Sequence, residues 1–130
     1  MKKFATNMVV ITGIFMIALG IFHLIAIPIF GDKLFEFAIS NEIRDEFILW
    51  FEMAGVFFVF IGIVDWFAYR AIKQKIQLGL NLALFSNIST TLLGAIGTIF
   101  LGIGPPILIL IFGVVTLIPL IYKRNELNSQ

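Results

Sequence analysis

The stretch MVVITGIFMIALGIFHLIAIPIF, from Met8 to Phe30, holds one histidine and no other ionisable side chain. A hydrocarbon layer of about 30 Å takes about 20 helical residues at 1.5 Å each, so this run is long enough to cross it. Lys2 and Lys3 stand before it, as in a secretory leader. A leader's apolar core, however, has only about 7–15 residues and ends in small residues fit for cleavage. This run ends in Ile27-Pro28-Ile29-Phe30, and we read it as a retained transmembrane helix.

Three further runs follow the same reading. The second extends from Phe47 to Tyr69, and its helix can start near Asn41, where Asp45 and Glu46 favour the N-terminal end. The third extends from Ile76 to Leu101. Gly102-Ile103-Gly104-Pro105-Pro106 then interrupts the chain, since glycine suits a helix end and proline a helix start. The fourth extends from Pro106 to Tyr122, with Pro119 as a kink. Strands of a membrane barrel alternate over about 10 residues, whereas these runs are continuously apolar. Helices also satisfy their own backbone hydrogen bonds, which lipid cannot do. The expected fold is all-α: a single four-helix transmembrane bundle over residues 1–130.

Composition agrees. Of the 130 residues, 60% are hydrophobic and 13% charged, and the mean hydropathy is +1.06. A soluble domain carries about 25% charged residues, so a soluble globule of this chain would expose far too much apolar surface. The net charge of +1 points to no nucleic acid or acidic partner. The absence of cysteine excludes disulfides, thiolate nucleophiles and Cys-ligated metal centres.

Basic residues orient the bundle. Lys2 and Lys3 precede the first span, Arg70, Lys73 and Lys75 fill the second connection, and Lys123 and Arg124 follow the fourth span. The first connection holds Asp32, Glu36, Glu42, Asp45 and Glu46 against Lys33 and Arg44. The positive-inside rule then places both termini in the cytoplasm, with the multi-pass chain in a cell membrane. Trp50 falls at the outer boundary and Trp66, Tyr69 and Tyr122 at the inner one, where aromatic belts form. Residues 32–44 are expected to form an ordered loop over the bundle, with a short amphipathic helix on its outer surface as the alternative.

Gly13 and Gly20, and Gly55 and Gly62, repeat at seven residues, nearly two helical turns, so each pair lies on one face. In lipid such faces let helix backbones approach closely. Asn87, Thr91, Gly94 and Thr98 form a similar stripe on the third helix. The three faces are expected to meet inside.

Ionisable groups within a span are costly and are either paired or functional. His23, the sole histidine, and Glu52 fall at similar depth on consecutive antiparallel helices. Together with Asn87 and Thr91 they are the candidate ligand or proton site. A His–Glu pair in low dielectric can share a proton, hold a polar headgroup or hold a small cation. It can equally do no more than fix helix register. Asp65, beside Trp66, Tyr69 and Arg70, reads as an interfacial aspartate, solvated or paired with Arg70. No Walker loop, G-x-S-x-G or His-Glu-x-x-His is present, and nothing calls for a metal or a cofactor.

Gly20-Ile-Phe-His23, followed by Arg44, Phe47, Trp50-Phe51, Gly55 and Gly62, resembles the DoxX-like group of small four-helix bacterial membrane proteins. The glycine-rich third helix and the Gly113 and Pro119 of the fourth are compatible with it. The resemblance covers most of the chain and implies the fold and a bacterial inner membrane. The name-giving protein is linked to a membrane thiosulfate:quinone oxidoreductase, but no catalytic motif of that enzyme is matched here. The leading expectation is a non-enzymatic membrane protein that binds a lipid, a quinone or a membrane partner, a second copy of itself included. A small proton-coupled transporter and a quinone-contacting subunit of a redox complex are the alternatives.

Overall fold

The computed structural model describes residues 2–34, 36, 40–101, 104–122 and 124. It is all-α: α1 Lys2–Leu34, α2 Asn41–Lys73, α3 Gln77–Leu101 and α4 Pro105–Tyr122. Each predicted span lies inside one helix, apart from Ile76, which falls in the turn before α3. α1, α2 and α3 are long and apolar enough to cross a membrane. α4 is a shorter apolar helix of 18 residues. The expected loop over residues 32–44 is shorter than read, since α1 continues to Leu34 and α2 begins at Asn41; residues 35 and 37–39 lie outside the described residues, as do Gly102, Ile103 and Lys123.

The helix ends follow local chemistry. Ser40 caps α2: its backbone is extended, its hydroxyl accepts from the Ile43 N–H at 3.3 Å, and its carbonyl accepts from the Arg44 N–H. At the other end Lys75 takes φ 61°, while the Ile76 N–H reaches Ala71 O and the Lys75 N–H reaches Ile72 O. This is a Schellman turn with lysine in the left-handed position that glycine usually occupies. It reverses the chain within residues 74–76 and sets α3 antiparallel to α2.

Two seams hold the helices in pairs. On α1 and α2 the predicted glycine faces meet in antiparallel register, Gly13 against Gly62 and Gly20 against Gly55. A Cβ on Gly20 would lie 2.6 Å from Gly55 O, and one on Gly62 would lie 2.5 Å from Gly13 O. Only glycine permits that backbone approach. α3 and α4 form the second seam, where Gly113 admits the backbone of Thr91 and Gly94 admits that of Leu110. The predicted α3 stripe therefore divides: Thr91 and Gly94 serve α4, while Asn87 turns to α2.

The interior is layered. Ala5, Val9, Ala68, Ile72, Leu80, Ala83 and Leu120 make an apolar cluster drawn from all four helices at the Lys73–Gln77 end. Met16, Phe58, Ile61 and Ile109 make a second cluster deeper in the bundle. Between them along every helix come buried polar residues: Thr12 on α1, Asp65 on α2, Ser86, Asn87 and Thr90 on α3, and Thr116 on α4. The outside has the opposite character. Trp50, Phe85, Ile99 and Phe100 are among many large apolar side chains left exposed, an arrangement that suits lipid and would be insoluble in water.

Candidate functional sites

His23 sits on α1 against Gly55 of α2, whose Cβ position would be 3.0 Å from the His23 Cβ. Its Nδ1 is 2.8 Å from the Leu19 carbonyl one turn back. A carbonyl only accepts, so Nδ1 carries the proton and Nε2 is left for another group. The ring stacks on Phe51 at 4.1 Å between centroids and meets Phe58 and Phe22 edge-on. Glu52 is half-buried on the same stretch of α2. No hydrogen bond or ion pair joins His23 to Glu52 among the described residues. The expected depth match holds along the helix axes, but the imidazole is occupied by its own backbone and by phenylalanine rings.

Thr91 and Asn87 lie elsewhere. The Thr91 hydroxyl donates to the Asn87 carbonyl at 2.7 Å, a bond within α3, and its backbone packs on Gly113. Asn87 is fully buried and faces α2, where its Nδ2 donates to Asp65 Oδ1 at 3.0 Å and to Ala83 O at 2.9 Å.

Asp65 corrects the sequence reading. It is neither solvated nor paired with Arg70; its exposure is 0%. The reason is its direction on the helix. Gly55, Phe58, Ile61, Gly62, Asp65, Ala68 and Ile72 form the buried stripe of α2. Arg70 lies five residues on, about 140° around the helix, and is exposed. Two α3 side chains meet the carboxyl instead. The Ser86 hydroxyl donates to Oδ1, the atom that also accepts from Asn87. α1 closes the other side, where a Cβ on Gly13 would lie 2.9 Å from the Asp65 Cβ. In the same polar layer the Thr12 and Thr116 hydroxyls bond to each other at 2.7 Å and tie α1 to α4.

Ser86, Thr12 and Thr116 were not singled out from sequence. A signal existed for the first: Ser86-Asn87 is a polar doublet within an apolar run, and Asp65 lies three residues after Gly62 on a face already assigned inward. Compared with family models, curated proteins and solved structures, the chain matches none of them.

Proposed function

We propose that this chain is a non-enzymatic, multi-pass protein of a bacterial inner membrane that binds a lipid or quinone headgroup beside His23. The four helices are its spans, with both termini and the 74–76 turn in the cytoplasm and Glu52 towards the outside. α4, at 18 residues, gives about 27 Å of helix, close to the hydrocarbon thickness. The basic residues at the α1 start, the α2–α3 turn and the end of α4 support the orientation. The DoxX-like resemblance supports the four-helix fold.

The observation that carries the ligand reading is the state of the imidazole. Its Nδ1 is fixed by Leu19 O, and three phenylalanine rings hold its plane, so Nε2 is presented in one direction. An aromatic frame with one oriented nitrogen suits a flat or apolar ligand bearing a single polar group. Native mass spectrometry of the detergent-purified protein tests it. A lipid or quinone is expected to co-purify with wild type and to be lost from His23→Phe. Neither species on wild type, or equal retention by the variant, rejects the reading.

A further inference from the structure

The polar layer around Asp65 has more acceptors than donors. Ser86 spends its hydroxyl proton on Asp65 Oδ1. Asn87 directs its amide protons to Asp65 Oδ1 and Ala83 O. Thr90 and Thr91 donate to their own helix, to Ser86 O and Asn87 O. Of the Thr12 and Thr116 hydroxyls one donates to the other, and neither bonds to Asp65 or Asn87. Asp65 Oδ2 and Asn87 Oδ1 remain, both buried and both without a donor. A buried polar atom left without a partner costs about 1–3 kcal/mol, and more when charged, so the cluster is incomplete as protein alone.

Charge makes the same point. On α1, the residues packed at this level are Thr12, Gly13 and Met16; on α3 they are Ala83, Ser86, Asn87 and Thr90; α4 supplies Thr116. None is ionisable. On α2 itself, Tyr69 lies one turn away, with Lys73 Nζ 5.8 Å from its ring centroid, and Arg70 points outward. Among the described residues no basic side chain reaches the carboxyl, and an uncompensated carboxylate in such a place costs several kcal/mol. Apolar clusters seal the layer above and below.

We propose that Asp65, Ser86 and Asn87 form a binding site for one small monovalent cation, a hydron or an alkali-metal ion. The occupant brings the missing positive charge and engages the open oxygens of Asp65 and Asn87. α1 packs on the aspartate from the other side, Gly13 lying against its Cβ. Oxygen ligands of this kind suit hard cations, and intramembrane carboxylates are recurrent cation and proton carriers. The site is independent of the ligand reading at His23, which lies ten residues further along α1, about 15 Å away.

The test is thermal unfolding of the purified protein in lipid nanodiscs. NaCl is titrated against choline chloride at constant ionic strength, and pH is varied separately from 5 to 8. If the occupant is an alkali ion, Tm rises by about 5 °C or more with NaCl at pH 8. If it is a hydron, the folded state holds more protons than the unfolded one, so Tm falls as pH rises and ignores sodium. Asp65→Asn, which supplies its own donor, is expected to abolish the response, while Glu46→Gln retains it. Should Asp65→Asn fail to fold, Ser86→Ala is expected to shift the midpoint about tenfold towards higher cation concentration. A wild type indifferent to both titrations, or a response that survives in Asp65→Asn or is unshifted in Ser86→Ala, overturns the site. Loss of lipid from His23→Phe bears on neither outcome.

Discussion

Glu52 and Asp65 lie thirteen residues apart on one helix, about 20 Å along its axis, yet their circumstances are opposite. Glu52 is half-buried, and the histidine nearest in depth is held by its own backbone and by phenylalanine rings. Asp65 has no exposure and takes hydrogen bonds from two residues of a third helix. Matched depth on neighbouring helices was not enough to form a pair. What mattered was the direction of each side chain on its helix and what the third helix offered there. At the Asp65 end the α2–α3 turn brings α3 directly alongside, with Ser86 and Asn87 facing the stripe.

The comparison can be broken at the seam first. At the Asp65 end, a Cβ on Gly62 would meet Gly13 O at 2.5 Å and Ile17 N at 2.9 Å. At the Glu52 end, a Cβ on Gly55 would meet His23 Cβ at 3.0 Å and Gly20 O at 3.1 Å. Gly62→Ala must therefore push two backbones apart, and should cost about 3 kcal/mol, against about 1 for Gly55→Ala. Steric trapping or reversible unfolding in detergent measures both. Equal costs would mean that Gly62 is no more tightly faced than Gly55.

The acids themselves come next. Asp65→Leu removes the acceptor of the Ser86 hydroxyl and the Asn87 amide, and should destabilise by about 2 kcal/mol. Glu52→Leu breaks no hydrogen bond among the described residues and should stay within about 0.5 kcal/mol of wild type. The same unfolding assay reads both, and a reversed order would place the structural polar contact at the wrong end of α2.

The smallest perturbation reports only which end faces which side. Single cysteines at Ser40 and Lys75 flank α2 and leave its interior unchanged. An impermeant thiol reagent added to intact cells should label position 40 and spare position 75. The opposite labelling would put Asp65 nearer the outside and reverse the proposed orientation.

The sequence alone was sufficient for the number of helices, their approximate limits, the start of α2 near Asn41, the end of α3 at Leu101 and the Gly13/Gly20 and Gly55/Gly62 faces. Each is local information. Apolar length fixes a span, proline and glycine end it, and a seven-residue glycine spacing defines one helix face whatever packs on it. Only the tertiary structure decided which polar groups meet. The Thr12–Thr116 bond joins residues 104 positions apart, and Asp65 finds Asn87 across 22. Those meetings depend on how far each helix is shifted along its neighbour and rotated about its own axis. Hydropathy does not encode either quantity, because lipid-facing and core-facing residues in a membrane bundle are almost equally apolar. The glycine contacts and the α2–α3 turn set both quantities, and so carried Asp65 into the core while leaving His23 among phenylalanines.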